Sequence, residues 1–267
     1  MYRPWYLEGL TYDSVTFLGE AKAVDEEYLM EGEQKENLCG PFAAAYILRG
    51  LGYRHHNGNF VDQEYVAYLA RTRVNAGEKG LYKYPLFETS SPAELGTSAV
   101  GLKYAVETIS EGGLAVISVK TVDRSVGPLI DEDRLQELLK VFTEENAQLI
   151  LNLNTKHLLE GPDLNRKLLS CDCDVDLRNG LKKREGVGHF VSCAGFVRRV
   201  KTFFIIRETY KKFGVQLQPF DSILEGLKRG DGREGGILAI IKKEGKNSLI
   251  GRLQSFELSL WDNGSPF

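Results

Sequence analysis

The stretch Cys39-Gly-Pro-Phe-Ala-Ala-Ala-Tyr-Ile-Leu-Arg-Gly50-Leu-Gly52 constrains this chain more than any other. Alanine and leucine favour helix, Pro41 suits a first helical turn, and Gly50 or Gly52 supplies a stop. The predicted helix is apolar nearly all round, so it must lie inside a body of protein rather than on its surface. A chain of 267 residues is long enough to build that body. Its composition, 42% hydrophobic and 27% charged, excludes collagen-like, coiled-coil and wholly disordered chains. A net charge of −3 lacks the basic face that a nucleic-acid partner requires.

The N-terminus has neither the apolar core nor the cleavage site of a signal peptide, and no apolar run approaches the ~20 residues that span a bilayer. Four unevenly spaced cysteines are too few for a disulfide framework, so the expected setting is cytoplasmic with reduced thiols and no membrane partner. Further helices are predicted over Asp62–Arg71, Thr97–Ile109, from Asp131 onward and over Phe220–Leu227. Strands are predicted over Leu114–Val119, Gln148–Leu153, His189–Val197, Thr202–Ile206 and Ile237–Ile241. Helices mostly precede strands, which reads as an α+β fold rather than alternating βαβ units. The simplest organisation is one domain over 1–267. It comprises an N-terminal arm (1–38), a mainly helical lobe (39–146) and a mainly sheet lobe (147–267) with a polar insertion at about 155–187. Residues 21–36 carry six acids and read as a solvated acidic stretch.

Cys39 carries the chemistry. A thiol in the first turn of a helix lies beside unsatisfied N–H groups and the positive end of the macrodipole, which favour thiolate. Gly40 keeps bulk away from the sulfur, and the Cys39 N–H can face a developing oxyanion. Gln34, five residues upstream, offers a second donor from its amide, with Asn37 its competitor. The competing reading makes Cys39 a small buried residue of an alanine-rich helix. A second feature bears on the choice. Gly186-Val-Gly-His189-Phe-Val-Ser-Cys-Ala-Gly195 is a glycine-entered strand with a histidine at its start. The next strand ends in Arg207-Glu208-Thr-Tyr. A hairpin of the two brings Glu208 beside His189 as the group that orients the imidazole.

Gln-x4-Cys-Gly-Pro opening an apolar helix, Gly-His-Phe-Val-x3-Gly on a strand, and an acid closing the next strand together resemble the papain-like cysteine peptidase superfamily. The likeness is greatest to its bacteriocin leader-processing branch, with phytochelatin synthase more distant. The resemblance implies a papain-like α+β fold, its nucleophile helix packed on an antiparallel sheet. It implies Cys39, His189 and Glu208 as catalytic triad and Gln34 as oxyanion-hole donor. The superfamily usually has Asp or Asn where Glu208 stands. The implied activity is cysteine-dependent hydrolysis of a peptide or isopeptide bond in a peptide or protein substrate, with no cofactor and no metal. An acyl or peptidyl transferase and a catalytically silent peptide-binding module share the same features.

Other signals read as structural. Cys171-Asp-Cys173 lacks the second pair that a zinc site needs. Cys193 reads as a small core residue, His55-His56-Asn-Gly-Asn as a turn, and His157 as unpartnered. Lys182–Arg184 and Arg198–Lys201 read as solvated hairpin ends. The acids of 25–36 directly precede Cys39, so Glu31, Glu33 and Glu36 are expected to make one cleft rim negative.

Overall fold

The apolar helix forms over Cys39–Gly50 (α2), and every residue from Gly40 to Arg49 is buried. The computed structural model describes residues 2–123, 125–170, 181–230 and 235–254. Around α2 lie α1 (Ala21–Met30), α3 (Gln63–Leu69) and α4 (Ala99–Ile109). Further along come α5 (Glu132–Glu144), α6 (Leu164–Ser170), α7 (Phe220–Leu227) and α8 (Lys246–Gln254). Three helices begin on the side-chain caps that local chemistry favours. Asp62 accepts from the Tyr65 N–H at 2.8 Å, Ser98 from Gly101 at 2.9 Å and Asp131 from Arg134 at 2.9 Å.

Seven strands make one antiparallel sheet. They are β1 (Ser14–Phe17), β2 (Leu114–Lys120), β3 (Gln148–Asn154), β4 (Gly188–Arg198), β5 (Thr202–Arg207), β6 (Val215–Pro219) and β7 (Gly236–Lys242). Their order is β6-β5-β4-β3-β7-β2. β1 pairs with the far half of β4, opposite residues 195–198, while β3 takes the near half opposite 188–193. At the changeover Gly195 has φ +149°, and a Cβ there would lie 2.1 Å from the Thr16 carbonyl oxygen. Only glycine lets β1 come this close. The fold is thus α+β, as expected.

Both faces of the sheet are covered, which is why β2 and β7 are buried along nearly their whole length. One face carries a core shared with α1, α2, α3, α4 and α6; the other packs against α5, α7 and α8. α2 lies against β4, and Tyr46 donates to the Ser192 hydroxyl at 2.7 Å. β2 falls in the mainly helical half of the sequence, yet it pairs with β7 at the sheet edge.

The acidic stretch is not uniformly solvated. Residues 21–30 form α1, and Asp25, Glu27 and Glu31 are buried. They are inside because arginines are waiting for them. Arg207 Nε donates to Asp25 Oδ1 at 2.5 Å, Arg49 Nε to Glu27 Oε2 at 2.8 Å, and Arg49 also pairs with Glu31 at 2.6 Å. Only Glu33 and Glu36 of the expected rim trio are exposed. The N-terminal arm also has more structure than its composition suggests, with a short helical turn at Trp5–Leu7 and β1. The polar insertion contains α6 and a strand pair, Leu159–Glu160 with Lys182–Lys183. Cys171 to Asp176 lie outside the described residues.

Replacing Arg49 by methionine would strand the buried Glu31 carboxylate and leave Glu27 with only the half-exposed Arg54, and losing one member of a buried ionic cluster costs about 3–5 kcal/mol. Urea denaturation should register a loss of that order for Arg49→Met. Lys22→Met, which removes only an exposed 3.9 Å pair with Glu26, should change stability by under about 0.5 kcal/mol. Equal effects would mean that the buried cluster does not hold α1 in place.

Candidate active site

Two elements fix the two candidate side chains. Cys39 is the first residue of α2, and His189 is the second of β4, so both stand on rigid ends of the α2–β4 contact. That contact is tight. A Cβ on Gly40 would lie 2.8 Å from Leu102 Cδ1 and 3.2 Å from Phe190 Cδ2. Gly40 therefore does not open space around the sulfur, as its position beside Cys39 suggests. It lets the helix end press against α4 and β4, bringing the thiol to the imidazole.

The Cys39 thiol is hydrogen-bonded to His189. On the other side of the ring, Nε2 lies 2.7 Å from Glu208 Oε1 and 2.9 Å from Thr209 Oγ1. A carboxylate only accepts, so Nε2 carries hydrogen and Nδ1 is left for the sulfur. Glu208 follows β5 directly, and the β4–β5 hairpin sets it beside His189. The Glu208 carbonyl oxygen accepts from Tyr28 of α1 at 2.8 Å, which ties the acid's backbone to the first helix.

Gln34 joins the same chain of contacts. Its Oε1 accepts from the Thr209 hydroxyl, and its Nε2 donates to the Lys35 carbonyl at 3.2 Å. Tyr210 stacks on His189 with ring centroids 5.2 Å apart and planes 6° from parallel, and its hydroxyl reaches Gln34. Asn37, the other candidate donor, has φ 62°, and its Nδ2 is buried without a hydrogen-bond partner.

The electrostatics follow from this geometry. Burial opposes ionisation of Cys39. The hydrogen bond and charge of His189, with the N–H groups of Phe190 and Gly40, outweigh it and hold the thiol below its ordinary value. Burial likewise opposes a charged His189, yet the Glu208 carboxylate and the Cys39 sulfur raise it to about 10. For Glu208, burial is overcome by His189 and then by Arg184, so the carboxyl is held below its usual range. At Cys193 burial outweighs the Gly195 backbone and the Arg207 charge and pushes the thiol up to about 12. The two cysteines thus differ because His189 both hydrogen-bonds and charges the surroundings of Cys39, whereas the Arg207 charge near Cys193 does not offset its burial.

The structure brings Cys39, His189, Glu208 and Gln34 into one cluster. Thr209, Tyr210 and Arg184 belong to it as well, and the sequence reading assigned them nothing. Thr209 and Tyr210 directly follow the proposed acid, and adjacency was the only available signal. Arg184 closes the basic run Lys182–Arg184, which reads as solvated. Lys182 and Lys183 are exposed, but the Arg184 side chain is 6% exposed and donates from Nη1 to Glu208 Oε2 at 2.9 Å. His56 and His157 stand apart from this cluster. His56 Nδ1 lies 2.7 Å from the Tyr65 hydroxyl, and burial lowers His157.

Alkylation by iodoacetamide, followed by mass spectrometry of the Cys39 peptide, should show a midpoint below that of an ordinary thiol. His189→Ala should return it to the ordinary range or above, and Cys193 should resist alkylation in the folded protein. An ordinary midpoint in the wild type would remove the argument for an activated sulfur.

The model of a family described as a family of unknown function, DUF6885, matches residues 18–262. No curated protein matches the chain.

Proposed function

The chain belongs to the DUF6885 family, and we propose that it is a papain-like cysteine hydrolase of peptide or isopeptide bonds. One observation carries the reading: a thiol on the first residue of a helix, hydrogen-bonded to an imidazole whose other nitrogen is held by a buried carboxylate. The fold supports it through the packing of the nucleophile helix on an antiparallel sheet that supplies the base and the acid.

The Cys39 thiolate attacks the carbonyl carbon, and the C–O π electrons move onto oxygen. The Cys39 N–H, in a first turn without an intrahelical acceptor, and the side-chain amide of Gln34 stabilise that oxyanion. Collapse of the adduct breaks the C–N bond as imidazolium His189 protonates the departing amine. The neutral imidazole then takes a proton from water, whose oxygen attacks the thioester carbonyl. Release of the carboxylic acid restores the thiolate–imidazolium pair. Glu208 stays ionised throughout, orienting the ring and stabilising its cationic form.

Tyr210 covers one face of the imidazole and favours its charged state through its π face. The exposed Glu33 and Glu36 precede the nucleophile and leave that rim open to cationic substrate segments.

Cleavage of a peptide library should disappear in Cys39→Ala and in His189→Ala. Gln34→Ala should lower kcat by roughly 10²–10³-fold, the usual effect of losing one oxyanion donor. The reactive pair exists above the lowered thiol value and is lost as pH rises through the imidazolium value. The pH profile should therefore be a bell with its alkaline limb near 10. Cleavage that survives Cys39→Ala would overturn the proposal. Products diverted onto added amines would assign a transferase instead.

A further inference from the structure

The superfamily that this site resembles usually orients its histidine with Asp or Asn, whereas Glu208 here is a fully buried carboxylate. Charge counting exposes a difficulty. A thiolate and an imidazolium cancel, so a neutral amide beside them leaves a buried site neutral. A carboxylate in that place leaves the working state with one uncompensated negative charge. Uncompensated buried charge is costly, and the cheapest remedy is to keep the thiol protonated.

Arg184 answers that difficulty. Its Nη1 donates to the Glu208 oxygen that His189 does not use, at 2.9 Å, so each carboxylate oxygen has its own cation. Its Nη2 donates to Gln216 Oε1 on β6, and its guanidinium lies 3.9 Å over the Phe213 ring. Its backbone N–H is fixed to the Leu158 carbonyl at 3.1 Å. The flanking strand pair docks on β6 through Gln218, which bonds both Leu159 backbone groups at 2.8 and 2.9 Å. Arg184 Nε is buried with no hydrogen-bond partner.

We propose that Arg184 is a positioning residue of the Cys39–His189–Glu208 site, the counter-charge that lets a carboxylate take the place of a neutral orienting group. The inference rests on the hydrolase reading above. With Arg184 present, thiolate, imidazolium, carboxylate and guanidinium sum to zero. Without it, the neutral cluster is thiol, imidazolium and carboxylate, which has neither a nucleophile nor a free base. The other charged and titratable groups facing this set are already engaged. Arg207 is paired with Asp25, and Tyr28 donates to the Glu208 backbone. Tyr210 stacks on His189, and Lys212 Nζ lies over Phe213 at 4.8 Å.

The test follows alkylation of Cys39 against pH, by mass spectrometry of the Cys39 peptide, in the full-length protein and four variants. In Arg184→Met the midpoint should rise by about one pH unit, with roughly tenfold slower labelling at pH 7. Arg184→Met combined with Glu208→Gln is neutral again and should return to within about threefold of the wild-type rate. Glu208→Gln alone should lose its fast labelling from the alkaline side, because the imidazolium is less well held. Arg184→Lys keeps the charge and should recover most of the Arg184→Met loss. Thermal melting of each variant separates unfolding from electrostatics. A wild-type midpoint below the ordinary range that Arg184→Met leaves in place overturns this inference alone. So does a double variant no faster than Arg184→Met, or an Arg184→Lys that behaves like the methionine variant. A wild-type midpoint in the ordinary range overturns the hydrolase reading and this inference together.

Discussion

Everything else in the molecule is arranged around the pressing of α2 against β4. The helix is apolar on every side and needs a full enclosure, and burying each large apolar side chain contributes about 1.5–3 kcal/mol. The sheet face, α1, α3 and α4 supply that enclosure. The contact is closest at the helix N-terminus, where Gly40 meets Phe190 and Leu102. The same packing that stabilises the core therefore sets the distance between thiol and imidazole. One turn and a half further along, Tyr46 bonds Ser192 and fixes the helix against sliding along the strand.

A second layer of control is ionic. Asp25 with Arg207, Glu27 and Glu31 with Arg49, and Glu208 with His189 and Arg184 all lie in buried positions between α1, α2 and the sheet. Burying such groups is expensive, and apolar side chains of similar volume would often serve stability as well. What ion pairs add is direction. α1 can dock in only one register if Asp25 must meet Arg207 while Glu27 meets Arg49. Correct docking in turn delivers the Tyr28 hydroxyl to the Glu208 carbonyl. The N-terminal segment thus contributes to placing an acid that lies near the far end of the chain.

Much of this was legible in the sequence, and the reasons are particular. The α2 boundaries followed from Pro41 and the terminal glycines, and the five predicted strands lie within strands of the sheet because their apolar runs were unbroken. Cys39, His189, Glu208 and Gln34 were found because the thiol begins a helix and the other groups stand near strand ends or just upstream of it. α1 was missed because its buried carboxylates look solvated until their arginines, distant in sequence, are placed beside them. β6, Val215-Gln-Leu-Gln-Pro, was missed because its two glutamines are buried through Arg184, Gln218 and Leu159. Arg184 was misread for the same reason. Charge composition reports solvation only where no partner of opposite sign is near in space, and a one-dimensional reading cannot see that partner.

The division of β4 between two neighbours has a consequence in time. Its near half needs β3, its far half needs β1, and its start carries the histidine that changes the character of Cys39. A chain made from its N-terminus exposes that cysteine long before β4, and longer still before Glu208 and its hairpin. Until then the sulfur has no imidazole beside it and behaves as any other thiol. β1 must likewise wait, unpaired, for a strand from the last third of the molecule, a high contact order that favours slow and late closure. The growing chain therefore carries Cys39 without its imidazole until β4 and the β4–β5 hairpin have docked on α2.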